Sequence, residues 1–103
     1  MDSLKGTYKL QAHRRAAWER QGGRCRHCLE PISGERVTAD HIIPRALGGS
    51  RRGGWNIIAA CDDCNNVRQT MPIATFIAII ASDIKPSDPK MIPAWERRKA
   101  NKP

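Results

Sequence analysis

Four cysteines stand in two pairs with the same spacing, Cys25 and Cys28 in "CRHC" and Cys61 and Cys64 in "CDDC". Two pairs of this kind can supply four thiolates to one tetrahedral zinc ion. Such a site leaves no open position for water, so we expect the zinc to be structural rather than catalytic. Two disulfides or a redox pair are the alternatives. Disulfides are rare inside cells, and a redox pair would leave the other two cysteines unexplained.

An aspartate and a histidine stand side by side in the apolar stretch "ADHIIPRALGGS", residues 39–50. A buried strand would favour β-branched residues such as valine at these positions, so Asp40 and His41 are candidates for chemistry. Imidazole is the side chain that suits a general base near neutral pH. Taken alone, the pair is more often a surface or capping feature, so its meaning depends on the residues around it.

The elements that must position these residues are predicted from apolar periodicity and turn residues. We predict a helix over 9–21, a strand over 36–43, a loop rich in glycine and arginine, a strand over 55–60, and helices over about 63–70 and 72–82. Asp62 is the predicted N-cap of the helix over 63–70. Adjacent side chains on a regular strand leave opposite faces. The strand must therefore end or bulge for Asp40 and His41 to share one site.

The overall charge favours an anionic partner. The 103 residues, enough for one small domain, carry 18 lysines and arginines against 10 aspartates and glutamates, a net charge of +8. Nucleic acid is the usual partner of such a chain, although a basic domain can lack a polyanion partner. The longest apolar stretch, residues 71–80, is shorter than the roughly 20 residues that span a bilayer. The first 24 residues lack the apolar segment of a secretory signal, so we expect a cytoplasmic protein without a membrane contact.

The chain resembles the HNH endonuclease family around both of these features. The matching stretch is "DHIIPRALGGSRRGGWNIIAACDDCNNVR", residues 40–68, with "CRHC" upstream. The elements D-H-I-x-P, two glycines, W-N-I and C-x-x-C-N occur in the order typical of the family. The third motif residue of the family is often histidine, and here it is Asn65. The resemblance implies an α+β fold, a small ββα-metal (His-Me finger) domain held by a structural zinc, with flanking helices.

The resemblance also implies the role of each motif residue in metal-dependent hydrolysis of DNA phosphodiester bonds. His41 would be the general base that takes a proton from the attacking water. Asp40 and Asn65 would bind one divalent cation, and Asn56 would help to hold the metal loop and to orient His41. Carboxylate and amide oxygens suit Mg²⁺ or Mn²⁺, with other divalent cations left open. Such a cation polarises the phosphoryl oxygen and stabilises the leaving oxygen.

Basic side chains near the motif are candidates for contacts with DNA phosphates. Three of them flank the glycines of the loop and one follows Asn65 by three residues on the predicted helix: Arg45, Arg51, Arg52 and Arg68. We expect His27, inside the first cysteine pair, at the surface. Trp18 and Trp55 are expected in the core rather than as base-stacking residues.

The predicted domain division places the HNH nuclease domain at residues 1–84 and a proline-rich linker with a basic tail at 85–103. Within the domain, the ββα-metal core covers about 36–70, and the zinc knuckles are residues 25–28 and 61–64. Residues 71–82 are apolar almost all round, which favours buried core or a face for a protein partner or a second copy of the chain. The alternative function is a non-catalytic zinc-knuckle module that binds nucleic acid or serves as an accessory subunit. Such a module would need neither Asp40 nor His41.

Overall fold

The computed structural model describes residues 2–43, 48 and 54–102. In this part of the chain two short strands are followed by a helix, and further helices flank them. The elements are α1 (Asp2–Arg20), β1 (Thr38–His41), β2 (Ile57–Ala60), α2 (Asp62–Arg68), α3 (Ile73–Ile80) and α4 (Ile92–Asn101). Short 3-10 helices at Gly54–Asn56 and Pro89–Met91 precede β2 and α4. The predicted α+β class and its small ββα arrangement are confirmed.

The two strands form one antiparallel ribbon that carries the aspartate and histidine of the motif. Asp40 lies opposite Ile58 and His41 lies opposite Ile57, so the pairing is regular to the end of β1. The strand ends only after His41, so the end or bulge that would bring Asp40 and His41 to one face is not found within the ribbon. Because the pairing is regular, the side chains of Asp40 and His41 leave opposite faces of the ribbon. In agreement with this alternation, Asp40 is buried and His41 is half-buried.

The helix α1 packs on the ribbon and extends further than predicted, since it begins at Asp2 rather than at residue 9. Ala17 on α1 forms a small apolar cluster with Val37 and Ala59. At the end of the helix, the Gln21 amide donates to the Ala59 carbonyl (2.9 Å) and accepts from the Ala59 N–H (3.0 Å). These bonds join α1 to the middle of β2.

The main core lies between the cysteine pairs and the two C-terminal helices. Phe76 and Ile80 on α3 and Ala94 on α4 are fully buried there, and Met91, just before α4, is buried with them. The segment predicted to be a linker and tail therefore contributes α4 to the same core. Met91, at the start of α4, and Ala94 within it are three residues apart, so both side chains lie on the same side of this helix.

The helix α3 fulfils one of its two predicted roles, because Phe76 and Ile80 belong to the core. Its other side, with Ala74 and Ala78, lines an open groove of about 900 Å³. The prediction that residues 71–82 contact a protein partner or a second copy stays a prediction. No helix within the described residues is both long and apolar enough to cross a membrane.

Candidate functional site

The four cysteines converge on one point although 32 residues separate the two pairs in the sequence. Their sulfur atoms all lie within 4.8 Å of one another, and all four are free thiols rather than disulfides. The Sγ atoms of Cys28 and Cys61 are 3.8 Å apart. A tetrahedron with Zn–S bonds of about 2.3 Å has S–S edges of about 3.8 Å. The cluster is therefore positioned to bind one metal ion, and the distance between Cys28 Sγ and Cys61 Sγ fits zinc.

Each cysteine pair is a knuckle closed by backbone N–H groups that donate to sulfur. In the first pair the N–H groups of His27 and Cys28 donate to Cys25 Sγ at 3.4 and 3.5 Å. In the second pair the N–H of Cys64 donates to Cys61 Sγ at 3.4 Å.

The predicted N-cap of α2 is corrected by this bond, because Cys61 and not Asp62 caps the helix. The sequence favoured Asp62 because a carboxylate is a common N-cap. The knuckle instead holds the sulfur of Cys61 at the start of the helix, where it accepts the hydrogen bond.

The thiols perturb one another because they are so close. Hydrogen bonds with Cys25, Cys61 and Cys64 lower the pKa of Cys28, whereas hydrogen bonds with Cys25 and Cys28 raise the pKa of Cys64. The four sulfurs therefore interact strongly with one another. Four thiolates at this separation require a cation between them, and thiolate sulfur is a soft ligand that favours zinc.

Arg97 on α4 covers the cysteine cluster with its guanidinium group. Its Nε donates to Cys28 Sγ at 3.4 Å and its Nη2 to Cys64 Sγ at 3.2 Å. The same side chain pairs with Asp63 at 2.8 Å and with Glu30 at 3.3 Å. A positive charge here offsets the excess negative charge of four thiolates around one divalent ion. Sequence reasoning missed this residue, because it lies in the segment predicted to be a tail.

Asp40 is the centre of a buried network that spans both knuckles. Its Oδ2 is 2.7 Å from His27 Nε2, and its Oδ1 is 2.7 Å from Arg68 Nη1. The exposed fractions of His27, Arg68 and Asp40 are 0%, 2% and 4%. Because a carboxylate oxygen only accepts, Nε2 of His27 carries the proton. The predicted surface position of His27 is wrong, since its ring turns inward from the knuckle and packs edge-on against Phe76 at 5.1 Å.

Arg68 holds the end of β1 as well as Asp40. Its Nη2 donates to the carbonyl of His41 at 2.9 Å and to the carbonyl of Ile42 at 3.2 Å. This placement argues against the predicted phosphate contact of Arg68, because its terminal nitrogens are engaged inside the protein. The three other arginines predicted to contact phosphate lie outside the described residues: Arg45, Arg51 and Arg52.

Asn65 lies against β1 on the face of the ribbon that α2 covers. Its Nδ2 donates to Thr38 Oγ1 at 3.1 Å and lies 3.4 Å from the carbonyl of Ala39. Thr38 and Asp40 are two residues apart on the strand, so they share this face. Asn65 and Asp40 thus lie on the same side of β1, and their predicted role as joint ligands of a cation stays a prediction.

Asn56 fixes the backbone just after the histidine. It is fully buried, its Oδ1 accepts from the N–H of Ile43 at 2.8 Å, and its Nδ2 donates to the carbonyl of Ile43 at 3.1 Å. His41 itself is half-buried, and its Nε2 has no hydrogen-bond partner in the part of the chain that the structure describes. The backbone at His41 and Ile43 is therefore held by Arg68 and Asn56.

Exposed apolar side chains surround this end of the ribbon. Trp55 is 65% exposed, and Ile43 and Ile42 are 41% and 37% exposed. The predicted core position of Trp55 is therefore wrong, because the short 3-10 helix turns its side chain to solvent while it buries Asn56. Trp18, in contrast, is half-buried and donates from Nε1 to the carbonyl of Ile32 at 2.7 Å.

Comparison with known proteins points to one family. The sequence profile of the HNH endonuclease family matches residues 25–76, which run from the first knuckle into α3. Over 58 residues the chain is 38% identical to a protein of Corynebacterium diphtheriae described as CRISPR-associated endonuclease Cas9. This alignment covers 56% of the chain but only 5% of that protein. No solved structure matches the chain.

Proposed function

The chain belongs to the HNH endonuclease family, and on that basis we propose that it is a metal-dependent endonuclease that hydrolyses DNA phosphodiester bonds. The observation that carries the proposal is that the family match at residues 25–76 includes every motif residue. The relative from Corynebacterium diphtheriae is itself described as an endonuclease. A net charge of +8 fits a polyanionic substrate.

We infer that His41 is the general base. An imidazole nitrogen can take the proton of an attacking water only if it is not already committed to a protein partner. The Nε2 of His41 is buried and has no hydrogen-bond partner within the described residues, so it is not committed to one there. Two side chains support this role by holding the backbone at and after His41. Asn56 binds the N–H of Ile43, and Arg68 binds the carbonyl of His41.

We infer further that Asp40 and Asn65 hold the catalytic divalent cation on the face of the ribbon that α2 covers, while His41, the last residue of β1, reaches the same phosphate from the end of the strand. A carboxylate offers about four acceptor sites, and His27 and Arg68 use two of those on Asp40. The remaining sites and the Asn65 Oδ1 would together give a hard, oxygen-only donor set, which suits Mg²⁺ or Mn²⁺. Such an ion would neutralise charge that grows on the phosphate and on the leaving oxygen. The four cysteines would hold a separate, structural zinc.

The alternative is a non-catalytic module that binds nucleic acid. The observation that favours it is the pairing of Asp40 with two protein donors, since a buried ion pair can serve structure alone. Incubation of the purified protein with supercoiled plasmid separates the two functions. We expect relaxed or linear product with Mg²⁺ or Mn²⁺ and none with EDTA. Retardation of the plasmid without any cleavage, across Mg²⁺, Mn²⁺, Ni²⁺ and Zn²⁺, would instead support the binding module.

The metal preference should follow the identity of residue 65. Asn65→His replaces a hard amide oxygen by a softer nitrogen, so we expect activity to be retained with a shift toward Ni²⁺, Co²⁺ or Zn²⁺. Asn65→Ala should raise the metal concentration needed for half-maximal cleavage, because the cation then keeps only Asp40 and water. The measurement is cleavage rate against metal concentration for the wild type and both variants. An identical metal dependence in all three proteins would show that Asn65 is not a ligand.

A further inference from the structure

We propose that His27 is a positioning residue that transmits the geometry of the zinc knuckle to the cation ligand Asp40. The inference rests on the proposed function, because it takes Asp40 as a ligand of the catalytic cation. It adds a residue that lies outside the Asp-His, Asn and Asn positions of the motif. It also gives the cysteine cluster a part in cleavage besides holding the fold together.

The backbone of His27 is fixed by the knuckle and by α4. The residue stands between Cys25 and Cys28, and its N–H donates to Cys25 Sγ at 3.4 Å. Its carbonyl accepts a hydrogen bond from Arg98 Nη1. A histidine held from both sides in this way has little freedom to move its ring relative to the cysteine cluster.

The side chain of His27 is as constrained as its backbone. The ring is 0% exposed and meets Phe76 edge-on, with an interplanar angle of 84°. Within this packing its Nε2–H points to Asp40 Oδ2 at 2.7 Å. A buried, well-packed donor at this distance determines where the carboxylate oxygen lies.

The helix that starts at the second knuckle supplies a donor to the other oxygen of the same carboxylate. Arg68 follows Cys64 by four residues on α2, so one helical turn separates the sulfur from the guanidinium. Its Nη1 binds Asp40 Oδ1 at 2.7 Å. Each knuckle thus places one donor on one oxygen of Asp40, and together they set the plane of the carboxylate. The directions left for a cation are then fixed by both knuckles.

Groups that hydrogen-bond to a metal ligand are known to matter quantitatively. Their loss typically costs about 10- to 100-fold in metal affinity or activity. His27 is the better probe of the two donors, because Arg68 also binds the carbonyls of His41 and Ile42. Substitution of His27 removes one contact to Asp40 and leaves the end of β1 held.

Two amide substitutions form a matched pair at this position. In His27→Gln the amide nitrogen can reach the place of Nε2 and donate to Asp40. In His27→Asn the side chain is one methylene shorter, so its amide nitrogen falls short of Asp40 although its polarity is the same. His13→Asn on α1, a half-buried histidine outside the network, controls for the loss of an imidazole.

The test uses the full-length, zinc-loaded protein, with Mn²⁺ binding measured by electron paramagnetic resonance in the absence of DNA. We expect His27→Asn to weaken Mn²⁺ binding by about 10- to 100-fold, with zinc content unchanged. The Mg²⁺ concentration for half-maximal plasmid cleavage should rise in parallel. His27→Gln should restore most of the Mn²⁺ affinity, and His13→Asn should match the wild type in all three measurements.

The other outcomes separate this inference from the proposed function. Wild-type Mn²⁺ affinity in His27→Asn, or loss of zinc from it, would overturn the positioning role. A wild-type protein that binds no Mn²⁺ would overturn it too, because Asp40 would not be a ligand. If the wild type binds Mn²⁺ with the expected response to substitution but cleaves no DNA, the positioning role holds and the proposed nuclease activity fails.

Discussion

His41→Ala should lower DNA cleavage by about 10²- to 10⁴-fold, the range that a positioned general base contributes. The loss should appear in the rate of the chemical step rather than in DNA affinity, because phosphate contacts come mainly from basic side chains. The zinc content should remain that of the wild type. The half-buried ring of His41 bonds to no described partner through Nε2, so its removal breaks no hydrogen bond to that atom within the described structure.

The measurement combines single-turnover cleavage of plasmid with DNA binding in the presence of EDTA. His13→Ala on α1 is the matched control, since it removes an imidazole outside the site. Cleavage by the wild type should also fall on acidification, because an imidazolium cannot accept the proton of water. Cleavage by His41→Ala at the wild-type rate would contradict the assignment of the general base.

The residues whose partners lie close in the sequence were predictable. Each cysteine pair forms a knuckle through bonds across two or three residues, so spacing alone indicated the metal site. The strand, loop, strand and helix order followed from the alternation of apolar runs and glycines. Only the ends of these elements differ, because Gly54–Asn56 form a 3-10 helix before β2.

The network around Asp40 could not be predicted in the same way. The partners of Asp40 stand 13 and 28 residues away in the sequence. Periodicity tells which face of an element is apolar, but not which distant donor a buried carboxylate will meet. Arginine is ordinarily a surface residue type and histidine an intermediate one, so residue type alone does not predict the burial of Arg68 and His27 beside Asp40. Their long-range pairing is the physical reason why both were expected in contact with solvent or DNA.

The contribution of α4 was hidden for a related reason. Its sequence is basic and short of apolar residues, which is typical of a solvated tail. On α4, Ala94 is buried, the half-buried Trp95 packs against the core, and the Arg97 guanidinium covers the sulfurs. A guanidinium that balances thiolates has no signature in spacing, because the two partners lie 33 residues apart.

Cys61→Ser should remove the structural metal and with it the cooperative unfolding transition. Cys61 Sγ contributes twice, as one of the four clustered sulfurs and as the acceptor that caps α2. A hydroxyl is a much poorer zinc ligand than a thiolate, so three sulfurs would be left around an open position. Structural zinc contributes about 10–16 kcal/mol to folding in small zinc domains. The core of this chain, in which three of the clustered cysteines are themselves fully buried, would lose its central support.

Native mass spectrometry and thermal unfolding measure the two effects together. We expect one zinc per chain in the wild type, none in Cys61→Ser, and loss of DNA cleavage in the variant because Asp40 is held from both knuckles. Asp62→Ser is the matched control: it changes the neighbouring, exposed residue, whose carboxylate is not the cap, and should keep zinc and the wild-type transition. If Cys61→Ser retains zinc and unfolds as the wild type does, or if the wild type carries two disulfides and no zinc, then the sulfurs do not hold a structural ion. In that case no zinc ion would fix the knuckle that carries His27, and the proposed positioning of Asp40 by the zinc site would fail.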